Sequence, residues 1–265
     1  MAADVRSLLA DLAAETEELT ALLRGLDEPG WRTPTPAAGW DISDQVSHLA
    51  YFDDVTTLAA TDPERFDVEA KKLTDLGDDF AAHVARWYRD RSGSELLGWF
   101  EQARGTLLET LASVEAGTKL RWFGPPMSVS SSATARLMET WAHGQDVADA
   151  LGVQRRPSAR LRHIAHLGVA TVGWSFVVRQ LPPPDRPIRI SLTAPDGSRW
   201  QWGPEDAADA VTGPALDFCL LVTQRRHHAD LDLQATGAAA TRFLEIAQVF
   251  AGPPGAGRPR NGEHP

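Results

Sequence analysis

The sequence between residues 40 and 49 is WDISDQVSHL. Asp41 is a suitable N-cap, and Asp44 falls in the first turn that would follow it, where negative charge suits the helix dipole. The stretch therefore predicts a helix that begins near Asp41. His48 shares one face of this helix with Phe52, so its imidazole is expected to point inward.

Helical periodicity extends to both sides of this stretch through the first half of the chain. Apolar residues recur at three- and four-residue steps over 4–26, 94–116 and about 132–151, and less regularly over 64–90. Such spacing is typical of helices with one buried face. Four long helices with connecting loops predict a bundle.

The second half of the chain mixes helices with short strands. Helices are predicted over 157–180, 214–226 and 238–250, and strands over 188–192, 200–202, 210–212 and 231–235. The first two strands alternate apolar and polar residues on either side of the turn Pro195-Asp196-Gly197, which predicts a hairpin.

The fold class predicted from these patterns is α+β, with a four-helix bundle followed by a small α+β domain. We place the bundle at residues 1–155 and the second domain at 156–252. The remaining residues, 253–265, are rich in Gly, Pro and Arg and are predicted to be a disordered tail.

Composition excludes several classes of function. The net charge is −10, from 26 basic and 36 acidic residues. This balance argues against non-specific binding to nucleic acid or to anionic membranes, both of which favour a basic surface. No apolar run approaches the ~20 residues of a membrane span, and the N-terminus lacks the basic and apolar regions of a signal peptide. A cytoplasmic location is therefore expected.

The single cysteine, Cys219, excludes an intramolecular disulfide and a thiolate zinc cluster. It lies in the apolar run at 215–221, without a clear basic partner. We interpret it as a buried structural thiol rather than a catalytic nucleophile.

Candidate metal ligands lie on two of the predicted bundle helices. Glu139 and His143 are four residues apart, which places both side chains on one face of a helix. Together with an inward His48 they make two imidazoles and one carboxylate, a set that leaves coordination positions open for water or substrate. One Glu-x-x-x-His pair arises easily by chance, and an inward histidine is commonly a core residue whose hydrogen bonds are satisfied. Spacing alone therefore leaves open the alternative that these residues have a purely structural role.

Two motifs resemble those of a known family. The stretch at 40–49 resembles the first ligand motif of the mycothiol-dependent maleylpyruvate isomerase family, which belongs to the DinB/YfiT-like metal-binding bundles. The stretch ETWAHGQD at 139–146 is similar to its second motif, a glutamate and a histidine four apart followed by Gly-x-Asp. Residues 211–217 and 235–237 also resemble the family's smaller α+β domain, which is similar to sterol-carrier folds.

The resemblance implies specific roles. The metal ligands would be His48, Glu139 and His143, in a DinB-like four-helix bundle. Asp146 would orient a ligand or fix the helix end, although a solvated or capping carboxylate is the alternative. Independently of the resemblance, Arg225 and Arg226 lie at the end of a predicted helix and are candidates for binding a carboxylate-bearing substrate, but basic residues also collect at helix ends for structural reasons.

The predicted function is that of a metal-dependent enzyme using a low-molecular-weight thiol such as mycothiol. It would carry out S-transfer to, or isomerisation of, a small electrophilic substrate. Zinc is the preferred divalent metal, although nickel, iron or manganese also suits this ligand set. The alternatives are a hydrolase acting through metal-bound water, with Asp146 as base, and a binding protein for a metal or small ligand without turnover. The expected partners are small molecules, with no nucleic acid or membrane.

Overall fold

The computed structural model describes residues 5–115 and 117–262. The chain divides into two compact units, with the boundary between Arg155 and Arg156. Residues 1–4, 116 and 263–265 lie outside the described part. Several predictions fall on these residues: the start of the bundle at residue 1, the helix ends at residues 4 and 116, and the last residues of the tail.

The regular structure of the first unit's described part consists of helices, one short hairpin and an isolated bridge between Pro34 and Asp41. Its helices are α1 (Val5–Leu23), α2 (Glu28–Trp31), α3 (Ile42–Thr61), α4 (Pro63–Thr74), α5 (Phe80–Trp87), α6 (Gly93–Ser113) and α7 (Val129–Ala150). Strands β1 (Lys119–Leu120) and β2 (Met127–Ser128) pair antiparallel between α6 and α7.

Four long helices, α1, α3, α6 and α7, form the bundle. Helix α3 packs against α6 and α7, and α1 packs against α7 and α6. Apolar residues of all four helices meet in a buried core that includes Leu19, Leu49, Phe100 and Val147. The predicted bundle is therefore confirmed.

Local sequence explains where the central helix α3 begins. The Asp41 carboxylate accepts a hydrogen bond from the Asp44 main-chain N–H, and the Asp44 carboxylate accepts one from the Asp41 N–H, each at 3.0 Å. This reciprocal capping box satisfies main-chain donors that the helix itself leaves unbonded. The fixed start of α3 sets which of its side chains face the bundle interior.

Two predicted helices are each split into two. The region 64–90 contains α4 and α5, which are separated where Gly77 has a φ of 94°, a conformation that favours glycine and interrupts a helix. The region 157–180 contains α8 (Leu161–Ala170) and α9 (Val172–Val177), which are separated at Thr171. The Thr171 hydroxyl bonds the Leu167 carbonyl, a side-chain bond that commonly bends helices.

The second unit is an α+β domain with a four-stranded sheet. Besides α8 and α9, its described elements are β3 (Arg189–Thr193), β4 (Arg199–Trp202), β5 (Ala210–Pro214), α10 (Ala215–Val222), a short 3-10 helix (His228–Asp230), β6 (Gln234–Thr236) and α11 (Ala238–Ile246). The sheet order is β4-β3-β5-β6. Strands β3 and β4 form the predicted antiparallel hairpin, whereas β3 and β5 pair in parallel.

The predicted tail contains no helix or strand over its described residues, 253–262. Within it, the Gly255 N–H donates to the Gln248 side chain and the Asn261 N–H donates to Asp230. Disorder of this segment stays a prediction. None of the described helices combines the length and the apolar composition needed to cross a bilayer.

Candidate metal centre

Three side chains from α3 and α7 converge on one point in the bundle. Ligand atoms of His48, Glu139 and His143, here called the ligand cluster, all lie within 4.8 Å of one another. The Glu139 Oε2 atom is 3.6 Å from His48 Nε2 and 3.1 Å from His143 Nε2. The one-turn spacing on α7 and the inward face of α3 together produce this arrangement.

These separations fit a divalent cation. Zinc binds histidine nitrogen and carboxylate oxygen at about 2.0–2.2 Å, so two ligands of one ion lie roughly 3–3.5 Å apart. The two distances from Glu139 are close to that spacing. The donor set of two imidazoles and one carboxylate also suits zinc and other first-row metals, and three protein ligands leave room for a further ligand.

Electrostatics favours the protonation states that a cation needs. Burial, followed by repulsion from His143, lowers the pKa of His48 to about 4, so its imidazole is neutral at neutral pH. Burial raises the pKa of Glu139, but hydrogen bonds and charges from His143 and His48 outweigh it and hold this pKa well below the ordinary value. A neutral imidazole and an ionised carboxylate are the ligand forms that bind metals.

Hydrogen bonds behind the ligand cluster hold His143 in place. The Nδ1 atom of His143 bonds the side-chain oxygen of Gln45, which lies one turn before His48 on α3. The Gln45 amide nitrogen donates to the Thr35 hydroxyl at 2.8 Å, and that hydroxyl donates to the Trp40 carbonyl at 2.9 Å. Gln45 is fully buried.

Aromatic rings surround the two imidazoles. The Trp40 indole stacks on His143 with ring centroids 5.9 Å apart and lies 5.5 Å from His48. Phe52 also lies against His48, with ring centroids 4.7 Å apart. Apolar walls of this kind exclude water and strengthen charge interactions within a site.

A second buried polar group lies between the same helices. Asp53 on α3, Arg104 on α6 and Arg136 on α7, here called the arginine cluster, are each at most 3% exposed. Arg136 donates to Asp53 at 2.8 Å and to the Leu49 carbonyl at 3.1 Å, which ties α7 to α3 next to the ligand cluster.

Arg104 extends the arginine cluster to all four bundle helices. Its Nε atom donates to Asp53 at 2.7 Å, and its Nη2 atom donates to the Thr140 hydroxyl of α7 at 2.9 Å. Its Nη1 atom donates to the Thr16 hydroxyl of α1. These bonds fix the spacing of the helices and hence the distance between His48 and the two ligands on α7.

The remaining predicted site residues lie elsewhere. Asp146 is buried on α7, three residues beyond His143, and its carboxylate is outside the ligand cluster. Arg225 and Arg226 follow α10 in the second unit and donate to the main-chain carbonyls of Thr223 and Arg225. These bonds agree with a structural role at the helix end, and a substrate-binding role stays a prediction.

Sequence reasoning missed several residues around the site. Trp40 is half-buried and lies over the imidazoles, a position that the sequence alone did not indicate. The position of Gln45, one turn before His48, was an available signal for a supporting role. Nothing in the sequence pairs Gln45 with His143, because that contact joins residues 98 positions apart.

Comparison with known families gives the identity of this bundle. The profile of the mycothiol maleylpyruvate isomerase N-terminal domain matches residues 12–148, more than half of the chain. The chain belongs to the mycothiol-dependent maleylpyruvate isomerase family. The match includes α3 and most of α7, with all three members of the ligand cluster, and the predicted family is confirmed.

Two relatives match over nearly the whole chain, and a second profile matches part of it. Uncharacterized proteins from two strains of Mycobacterium tuberculosis are each 51% identical over 260 residues, which span 97% of this chain and 100% of theirs. A profile described as wyosine base formation matches residues 184–236, within the second unit. That match is short and does not include the ligand cluster.

Solved structures of the maleylpyruvate isomerase share the fold. A crystal structure of a histidine-to-alanine mutant of the mycothiol-dependent maleylpyruvate isomerase matches with a TM-score of 0.61 at 14% identity. Another crystal structure of that isomerase gives 0.56 at 15% identity. Each match covers 88% of this chain and 92% of the other. The predicted fold class, a helical bundle followed by a small sheet domain, is confirmed.

Proposed function

We propose that this chain is a metal-dependent enzyme that uses a low-molecular-weight thiol, mycothiol in the first instance. The reaction would be S-transfer to a small electrophilic substrate, or its isomerisation through transient thiol addition. The observation that carries the proposal is the convergence of His48, Glu139 and His143 within a bundle of the maleylpyruvate isomerase family.

The ligand cluster would hold a divalent cation, with zinc preferred. When bound, such an ion lowers the pKa of a thiol and holds it as the nucleophilic thiolate. The protein supplies a neutral His48 and an ionised Glu139 for this purpose. Trp40 and Phe52 keep water from the two imidazoles, which strengthens the attraction between a cation and an anionic sulfur.

The chain's own thiol is unsuited to the chemistry, which supports a sulfur nucleophile that arrives separately. Cys219 is fully buried in α10 and its Sγ–H donates to the Leu161 carbonyl. Burial raises the pKa of this thiol far above its ordinary value, so it stays protonated at neutral pH. As the sequence contains no other cysteine, the reactive sulfur would have to belong to a cofactor.

Cobalt substitution tests the thiol proposal directly. We expect cobalt-loaded protein to gain a sulfur-to-cobalt charge-transfer band in the near ultraviolet on addition of mycothiol. The S-methyl derivative is the matched control and should give less of this band or none, because it has no thiol to ionise. Glu139→Gln should weaken the band, since the site loses a negative ligand.

The outcomes separate the candidate functions. Absence of a spectral change at saturating mycothiol, with cobalt occupancy confirmed by elemental analysis, would rule out the thiol mechanism. Hydrolysis of an activated ester by zinc-loaded protein without any thiol would then favour metal-dependent hydrolysis. A loaded site that shows neither property would indicate a binding protein.

A further inference from the structure

The hydrogen bonds behind His143 run in one direction. They begin at the main-chain carbonyl of Trp40, which can only accept a hydrogen bond. The single hydroxyl proton of Thr35 is donated to this carbonyl at 2.9 Å. The Thr35 oxygen must therefore accept from its other neighbour, the amide nitrogen of Gln45, at 2.8 Å.

This direction determines which side of Gln45 faces the imidazole. Because the amide nitrogen is committed to Thr35, the amide oxygen points to His143 Nδ1. An amide oxygen accepts and does not donate, so Nδ1 must carry a proton. The Nε2 atom, which faces Glu139 at 3.1 Å, is then the ring nitrogen whose lone pair can bind a cation.

We infer that Gln45 and Thr35 are positioning residues that hold His143 as the tautomer protonated on Nδ1, so that Nε2 is presented to the ligand cluster. This inference rests on the proposed metal site for its purpose, but the tautomer can be measured without any metal. Free histidine in water favours the proton on Nε2, so the protein has to reverse the intrinsic preference.

His48 provides a comparison within the same cluster. Its buried Nδ1 atom has no hydrogen-bond partner in the described structure. The Thr35–Gln45 chain therefore acts on one imidazole and not on the other. Removal of Gln45 should change the tautomer of His143 and leave that of His48 as it was.

Zinc affinity is the first readout, measured by competition with a chromophoric chelator. We expect Gln45→Leu to weaken zinc binding roughly 10–100-fold, the usual cost of losing a group that orients a metal ligand. Thr35→Val should weaken it less, because the Gln45 oxygen can still accept. Gln45→Glu should keep the affinity, since a carboxylate also accepts from Nδ1–H.

Gln145→Leu is the matched control: this buried glutamine on α7 bonds Asp149 instead, and its loss should have no effect on zinc affinity.

The second readout is the tautomer itself, from long-range proton–nitrogen NMR correlations of metal-free protein labelled with ¹⁵N-histidine. The parent should show His143 protonated on Nδ1, and Gln45→Leu should move that proton towards Nε2. If zinc binds neither the parent nor any variant, the metal proposal fails while the tautomer shift still supports the inference. Equal zinc affinity in the parent and in a folded Gln45→Leu, or the same His143 tautomer in both, would overturn it.

A folding defect is distinguishable from a positioning effect. Far-ultraviolet circular dichroism and the melting temperature report whether Gln45→Leu keeps the bundle. If it does not, Gln45→Glu and Thr35→Val decide the matter. Loss of zinc affinity in Gln45→Glu, with its helical content and melting temperature at parent values, would contradict the inference.

Discussion

The ligand cluster and the arginine cluster lie side by side between α3 and α7, and both place polar side chains in the interior of the bundle. In the arginine cluster, the Asp53 carboxylate accepts hydrogen bonds from both guanidinium groups. Threonine hydroxyls and a main-chain carbonyl accept others. Opposite charges and complementary hydrogen-bonding groups therefore meet within the protein.

The ligand cluster is satisfied less completely: Glu139 faces both imidazoles, but the buried Nδ1 atom of His48 has no hydrogen-bond partner in the described structure. The Gln45 contact also makes Nε2 of His143 the ring nitrogen that can bind a cation. A cation would satisfy all three groups together. Burial alone therefore does not mark a functional site. A more useful sign is a buried polar cluster whose hydrogen-bonding groups the protein itself satisfies only in part.

The largest effect is expected when the arginine cluster loses its acid. Asp53→Ala would leave two buried guanidinium groups without their shared counter-ion, and such changes cost about 3–5 kcal/mol. Urea unfolding should show this loss in the free energy of unfolding. Asp54→Ala is the matched control, because the neighbouring Asp54 is exposed and accepts a single hydrogen bond from Trp99. Equal destabilisation by the two changes would mean that the arginine cluster has no special structural role.

Mutations in the ligand cluster should remove bound metal and have a smaller effect on stability. His48→Ala and His143→Ala are each expected to abolish bound metal, measured by elemental analysis, while the metal-free protein keeps its helical content. Their cost in unfolding free energy should be below that of Asp53→Ala, because neither breaks a buried ion pair between arginine and aspartate. His83→Ala, on α5, is the control and should keep its metal. A mutant of His48 or His143 with full occupancy would remove that residue from the ligand set.

The smallest effect is expected at a buried polar group that belongs to neither cluster. Cys219→Ala removes a weak S–H hydrogen bond and a small buried volume, which should cost on the order of 1 kcal/mol. Metal content and thiol binding should match the parent. Turnover can be assayed with any electrophile that the enzyme accepts. If it disappears in folded Cys219→Ala, the interpretation of this thiol as structural is wrong.

The helices and the ligand spacing were predictable because their signals are local. Asp41 and Asp44 mark the start of α3, and apolar periodicity marks the long helices. The i, i+4 spacing of Glu139 and His143 places them together on any helix. The interruption at Gly77 was less evident, because a single glycine does not always end a helix.

The arginine cluster and the support of His143 could not be predicted in the same way. Arg104 bonds Asp53, 51 positions earlier, and Thr16, 88 positions earlier. The periodicity within one helix does not predict which buried arginine forms an ion pair with which acidic residue. Likewise, the role of Gln45 depends on a loop residue, Thr35, and on a ligand from another helix. These contacts arise only from the packing of the bundle.

The placement of the ligands on α3 and α7 has a consequence for folding. In an unfolded chain the ligand motifs at residues 40–49 and 139–146 are far apart, so the complete site exists only once the bundle has formed. An ion held there would act as a reversible cross-link that closes a long loop of the chain. When the ion dissociates, this constraint on the conformational entropy of the chain is lost with it. By mass action, free metal at 100 times its dissociation constant would add about 2.7 kcal/mol to the stability of the folded state. Chelation would thus lower the melting temperature of the bundle as well as remove its chemistry.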